Sequence, residues 1–300
     1  MVHPAALPVI DQVLSEVDFV QLPVRPEPQS GSRWVAGHYT DEFTESHVKS
    51  LVVRDALGAA IPAAGVGCGF ARGALEKLAT ARKAEGEEGP FSSDCLTEDY
   101  ELGLLISSER AKGRFVRARD HAGELVATRA FFPGRLDEAV RQKTRWVHGI
   151  AFQGWDRMGW NGRPVDIWMA LRDRRGPLTA VVLAAAYVLL VIEAPLAAAR
   201  LAGWAEPAAI SPMLGTMLQI SFASFVWRAV WRFGCTAHEY DIVEGIRGIL
   251  RIPVANIIAI MAGRRALFAY IRTLRGADLH WEKTVHRSHP AALAEKAAAR

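Results

Sequence analysis

The chain has 300 residues, half of them hydrophobic, with 36 basic against 32 acidic side chains and a formal charge of +4. That length admits one or two domains with a substantial core, the apolar share sits at the upper edge of soluble usage, and the small basic excess gives no support to nucleic-acid binding. Cys68, Cys95 and Cys235 are widely spaced, without partners at metal-ligand spacing, and fit a reducing setting; Met1-Val-His-Pro4 lacks the basic and apolar regions of an export signal.

The first 160 residues read as α/β material. An amphipathic helix is predicted over 4–17, and Asp18-Phe-Val-Gln-Leu-Pro-Val24 follows as a strand closed by Pro26 and Pro28. Helical periodicity returns over 41–57, a small-residue strand and glycine loop occupies 61–70, and 73–83 is a further helix. After a charged glycine-containing loop, a helix starts at Glu98 and two strands, 114–119 and 124–131, meet at His121-Ala-Gly123. An α/β domain that opens on a helix departs from the doubly wound pattern, in which the first strand carries the nucleotide-contacting turn. Residues 136–160 form a long helical stretch whose aromatic side chains, Trp146, Phe152, Trp155 and Trp160, suit a membrane interface.

The remainder is membrane-like. The run 177–199, interrupted only by Glu193 and Pro195, is long enough to cross roughly 30 Å of hydrocarbon. A second candidate covers 210–227. Arg172, Arg174 and Arg175 flank the first, Arg228 and Arg232 follow the second, and only Arg200 against Glu206 lies between, so both outer flanks are expected in the cytoplasm. A third run, 252–263, is too short to span alone. With Arg251, Arg264, Arg265, Arg272 and Arg275 around it, a surface-lying or re-entrant basic helix is expected. The tail is polar, and His280, His286 and His289 lack the spacing of a helical metal pair.

Two short segments bear on chemistry. Thr97-Glu98-Asp99 opens a predicted helix, where a capping hydroxyl and first-turn acids are also ordinary. Gln142-Lys-Thr-Arg145-Trp146 taken alone is a basic helix face with one aromatic. In this order, just ahead of a membrane span, they resemble the Thr-Glu-Asp and Gln-x-x-Arg-Trp motifs of processive, cellulose-synthase-like family 2 glycosyltransferases. The likeness extends over nearly the whole chain, through Asp18–Val24, Tyr39-Thr-Asp-Glu-Phe43, Gly65-Val-Gly-Cys-Gly-Phe-Ala-Arg72, Leu96–Gly103, Arg141–Trp146 and Trp281-Glu-Lys-Thr-Val-His286. Within the family these segments are similar to those of the inner-membrane phage-adsorption protein B homologues.

The resemblance implies a GT-A-type, Rossmann-like glycosyltransferase domain, here its C-terminal half, followed by an α-helical membrane region. It implies a general base, Asp99, that takes the proton of an acceptor hydroxyl, with Thr97 and Glu98 beside it on the acceptor. It places Gln142 and Arg145 on the donor diphosphate, where a guanidinium binds phosphate bidentately, and Trp146 beneath the sugar's C–H face. An interfacial anchor is the alternative for Trp146. Gly65, Gly67 and Gly69 form a loop near substrate on this reading, with Cys68 in it as a packing residue. The partners implied are a nucleotide-sugar donor, a saccharide acceptor, the lipid bilayer and an envelope protein, with no nucleic acid.

Family members also use an Asp near the first strand for the nucleotide base and an Asp-x-Asp pair for Mg2+ or Mn2+ on the donor diphosphate. Neither is present; in the resembling proteins the metal motif precedes a segment like Val2-His3-Pro4. The chain therefore reads as an N-terminally truncated transferase, inactive alone, with Asp94, Glu98 and Asp99 the carboxylates to test for any other metal site; a degenerate, non-catalytic membrane subunit is the alternative. The expected organisation is 1–146 transferase (acceptor half), 147–176 interfacial helices, 177–233 two spans, 234–275 basic interfacial or re-entrant helices and 276–300 a cytoplasmic tail. The expected location is a bacterial inner membrane, with the catalytic domain and both termini in the cytoplasm.

Overall fold

The computed structural model describes residues 1–277 except 85, 87, 88, 93, 94, 109–111, 161, 205 and 207–209. The histidines of the tail, Trp281 and Asp94 lie outside the described residues.

Helix α1 (Ala6–Leu14) lays one apolar face on the sheet, and β1 (Phe19–Gln21) and β2 (Val24–Pro26) follow. A single strand was expected across this stretch. Pro23, which has no N–H to donate, lies between the two halves, and the chain changes sheets there. Strand β1 pairs antiparallel with β3 (Cys68–Phe70) and parallel with β4 (Gly113–Phe115), whereas β2 pairs parallel with β5 (Thr128–Ala130). Each strand is three residues long, much shorter than the strand runs expected from the sequence. In the stretch expected as a strand, 61–64 joins no ladder, with Ile61 and Ala63 buried.

Helix α2 (Gly37–Glu45), a π-helical turn (Ser46–Ser50) and α3 (Leu51–Ala56) occupy the stretch expected as one helix. Helices α4 (Arg72–Ala84) and α5 (Glu98–Ser108) pack with β1, β3 and β4 around Phe19, Ile61, Leu78, Leu102 and Phe115. Helix α6 (Leu136–Val147) runs into a second π-helical segment (His148–Gln153) and α7 (Gly154–Met158). Its apolar face meets Tyr39 and Ile258 in another core.

Helix α8 (Pro164–Arg174) is held to the α/β region by polar clamps. Asp166 accepts from Ala60 N at 2.9 Å, and Asp173 receives both Arg54 at 2.8 Å and the Tyr100 hydroxyl at 2.6 Å. Next come α9 (Gly176–Leu201), α10 (Pro212–Glu239), α11 (Ile242–Leu250) and α12 (Ile252–Leu274).

Among the described residues, α9, α10 and α12 are long and apolar enough to cross a membrane. The third corrects the expectation of shortness: the apolar run stops at Arg264, but the helix continues to 23 residues. Helix α12 is also the best covered of the three. It packs on α6 through Ile258 and on α9, where Gly263 meets Ala180 so closely that a methyl group would overlap it. Asn256 adds a hydrogen bond to the Tyr187 hydroxyl at 3.2 Å. Small residues and single polar contacts are how helices associate where lipid removes the hydrophobic drive between them.

Arg251 corrects a second expectation. Instead of flanking a surface helix it is 1% exposed, gripping Asp41 with Nη2 at 2.7 Å and Nε at 2.8 Å, and Glu244 with Nη1 at 2.8 Å. Thr236 Oγ1 completes the shell on Asp41 at 3.3 Å. Gly37 and Gly248 leave the room it needs, since a methyl group at either crowds the pair. This buried knot ties α2 to α10, α11 and the start of α12.

Candidate active site

The segment that starts α5 at Glu98 and the segment that ends α6 at Val147 lie far apart in sequence and are joined by the π-helical segment after α6. Leu96 N donates to Gln153 Oε1 at 2.9 Å. Thr97, buried, packs so tightly on Gly149 that a Cβ there would strike its hydroxyl. Of the helix-widening devices available, a π-turn is the one most often found beside functional residues. Here it brings the first turn of α5 against the continuation of the helix that carries Gln142 and Arg145.

Asp99 lies in that first turn, half-buried. Its Oδ1 accepts from the Tyr100 N–H at 2.8 Å, and its Oδ2 faces Gly65. Gly65 has φ +72°, in the left-handed region that favours glycine, and a methyl group there would overlap Oδ2. Burial pushes the Asp99 carboxyl above the ordinary aspartate range; Glu98 pushes the same way, while the Tyr100 N–H and the Arg145 charge pull against them. A carboxylate raised toward neutrality is the better proton acceptor once ionised.

The glycine loop is stapled from beneath by Gln21, a fully buried residue whose role sequence reading missed. Its Oε1 accepts from Ala64 N at 2.8 Å, and its Nε2 donates to Leu22 O at 2.7 Å and Val66 O at 2.9 Å. A glutamine in the middle of Asp18–Val24 is the only signal, and it reads equally as an edge residue. Gly67, at φ +63°, abuts the Thr128 hydroxyl. Gly69 belongs elsewhere: it sits in β3 opposite Val20, and its open side faces Ile10 and Leu14 of α1. Cys68 packs against the core, its thiol pushed up to about 11 by burial and then by the Asp99 charge, away from the thiolate form.

On α6, Gln142 is 6% exposed and its Oε1 has no hydrogen-bond partner among the described residues. Arg145 is close enough for its charge to act on Asp99. Trp146 meets Tyr39, Phe43 and Phe132 edge-on, with centroids 6.0, 6.1 and 6.5 Å away. It thus packs, partly buried, in an aromatic cluster between α2 and α6. Lys143, on the same helix, pairs with Glu42 of α2.

Beside this cluster a cavity of ≈ 360 Å³ runs along Ala63, Ala64 and Tyr100 to Arg54, Asp173 and Arg172. It is large enough for a sugar ring and is bordered by Ala64, next in sequence to the Gly65 turn, and by Tyr100, next to Asp99, while Asp99, Gln142, Arg145 and Trp146 themselves do not line it. Among the described residues no three His, Cys, Asp or Glu side chains group closely enough to hold a metal ion, and Arg145 opposes a cation at Asp99. The described carboxylates therefore do not fit a divalent metal.

The family model for glycosyl transferase family group 2 matches residues 3–202, from the front of α1 to the end of α9. Bacteriophage adsorption protein B of Escherichia coli (strain K12) is 30% identical over an alignment of 308 positions, which covers 95% of this chain and 41% of that protein. Bacteriophage N4 adsorption protein B of Escherichia coli O157:H7 matches with the same figures, so the chain spans about two fifths of the length of these relatives. With the family match covering two thirds of its length and reaching from the sheets through the first apolar helix, the chain belongs to glycosyl transferase family group 2.

Proposed function

We propose that this chain supplies the acceptor side of an inverting glycosyltransferase that moves a sugar from a nucleotide-diphospho-sugar to a saccharide acceptor at a bacterial inner membrane. The observation that carries the reading is the setting of Asp99: a half-buried carboxylate under the Gly65 turn, with Arg145 and Gln142 arriving from α6. Asp99 takes the proton from the attacking hydroxyl as the anomeric bond forms on the face opposite the leaving group. Arg145 offsets the charge that grows on the departing diphosphate, and the unpartnered Gln142 Oε1 accepts a hydroxyl or amide hydrogen from the substrate. Trp146, held by Tyr39, Phe43 and Phe132, and the adjoining Thr97 and Glu98 form the wall on which the acceptor rests.

A divalent cation on the donor diphosphate, frequent in the family, takes its protein ligands from carboxylates other than those described here. Helices α9 and α10 cross the bilayer on this reading, with α12 re-entrant, packed on α6 and on the first half of α9 at the cytoplasmic side, so the catalytic region and both ends of the chain lie in the cytoplasm. The relatives are named for bacteriophage adsorption, and the saccharide product or an envelope partner protein is then what a phage meets.

The test is sugar incorporation by membranes that carry the complete protein, with a panel of labelled nucleotide sugars. Transfer from one donor, lost in membranes without the protein, is the expected result. No transfer from any donor, with donor binding retained, would assign the chain instead to a non-catalytic membrane subunit.

A further inference from the structure

Five arginines flank the first two apolar helices, and the structure divides them. Arg174 is buried, capping Gly154 O at 2.7 Å and lying over the Trp160 ring, and Arg232 pairs with Glu45 at 3.4 Å. Arg172, Arg175 and Arg228 make no ion pair among the described residues, and all three line one cavity of ≈ 370 Å³ between α2 with its π-turn, the end of α8, and α10. The carboxylates there are already engaged, Glu42 with Lys143 and Glu45 with Lys49 and Arg232. Trp227 and Trp231 close the side toward α10, in edge contact at 5.7 Å, with Lys49 5.8 Å from the Trp231 ring.

We propose that this cavity binds the phosphate headgroup of an anionic bilayer lipid. Three guanidiniums without an ion pair among the described residues, of which only Arg228 lies in the field of the shared Glu45, leave a positive concavity that a phosphate fills, and guanidinium is the side chain best shaped to bind phosphate oxygens in pairs. The two indoles stand at the level where a lipid's glycerol meets its chains. Below them α10 exposes Phe222, Phe225 and Val226, a surface for the acyl chains. Arginines that only set the orientation of spans need no such enclosure. The occupant ties α8, α10 and the π-turn of α2 together, so the bilayer becomes part of the seam between the transferase region and its helices. Nothing in the argument depends on glycosyl transfer.

The test is native mass spectrometry of the full chain in detergent with equal amounts of phosphatidylglycerol and phosphatidylcholine, repeated with excess inorganic phosphate. Wild type is expected to retain phosphatidylglycerol in preference, and phosphate is expected not to displace it. Each arginine contributes about a fivefold preference, so Arg172→Gln with Arg228→Gln should reduce it roughly 25-fold. Arg200→Gln, which touches the ion pair with Glu193 at the far end of α9, should leave it intact. If the double variant fails to fold, Ser50→Asp places a carboxylate in the cavity while keeping every arginine, and should also abolish the preference. Equal retention of the two lipids by wild type, or an undiminished preference in the variants, overturns the proposal. Displacement by inorganic phosphate identifies a site for free phosphate and overturns the lipid assignment.

Discussion

The α/β region and the helices from α9 onward solve opposite problems with the same residue types. Before residue 150 a core of large apolar side chains faces inward, among them Phe19, Leu22, Tyr39, Ile61 and Leu102, and charged groups inside are paired. Glu101 illustrates the second point, with Arg82 at 3.1 Å and Arg157 at 2.9 Å on its two oxygens and Cys95 Sγ at 3.3 Å. On α9 and α10 the large apolar residues face outward, including Val182, Leu189, Val191, Phe222 and Trp227. Such a surface would be an aggregation site in water, and in a bilayer it is the solvated face. The seam is where the two regimes must be reconciled, and there the molecule spends its most buried ion pair, Arg251 with Asp41 and Glu244.

Breaking that seam should have the largest effect on stability. Arg251→Met leaves Asp41 and Glu244 buried without their cation, a loss of about 3–5 kcal/mol. The thermal midpoint in detergent should fall, and limited proteolysis should separate the α/β region from the C-terminal helices. An unchanged midpoint would mean that the two halves are joined by lipid and apolar contacts alone.

Acid should act on the α/β half selectively. His38 and His47, both buried, are held down to about 4 by loss of hydration. Each is neutral in the fold and takes a proton more readily when unfolded, so its contribution is fully present above pH 6.5 and is lost as pH falls toward 4. The linkage is about 3 kcal/mol per histidine. His47→Phe should therefore flatten the acid limb of an unfolding curve between those limits, as read by the near-UV circular dichroism of the α/β region. An identical acid limb would remove His47 from this account.

Much of the outward-facing half was legible in the sequence, and less of the inward-facing half was. The run at 177–199 announces α9 because lipid solvation demands an unbroken apolar stretch. The shortness expected of 252–263 failed because an apolar run measures a hydrophobic surface and not a helix: α12 continues through Arg264 and Arg265 while its other side rests on α6 and α9. Arg251 was indistinguishable from the other basic residues around it, since nothing in a local pattern says that a lone arginine will find two carboxylates from elsewhere. The paired sheets were hidden because three-residue strands have no period to read. At the site, the meeting of Thr97–Asp99 with Gln142–Trp146 followed from a family resemblance rather than from spacing, and the π-turn that joins them leaves no local sequence signal. Gly69 matched the pattern of its neighbours, yet its space is filled by Ile10 and Leu14.

Two smaller effects sharpen the contrast between a site glycine and an exposed pair. Gly65→Ala forces a side chain into the left-handed region and against Asp99 Oδ2. Displacing a reacting group by a fraction of its length should lower turnover about 10²-fold with the fold retained. Retained turnover would show that the turn does not position Asp99. Arg72→Ala removes an ion pair with Glu76 on a side chain that is 92% exposed, and should shift the thermal midpoint imperceptibly. A clear shift would assign exposed pairs on α4 a weight that the account gives only to buried ones.

The central claim is that Asp99 is the base of a glycosyl transfer, and the most direct measurement sets turnover beside donor binding for Asp99→Asn in the complete protein. The substitution keeps the shape and the Tyr100 N–H contact while removing the proton-accepting charge. The account predicts donor affinity near that of the wild type and turnover lower by about 10² to 10⁴. Turnover equal to the wild type, or a parallel collapse of binding and turnover, would contradict it.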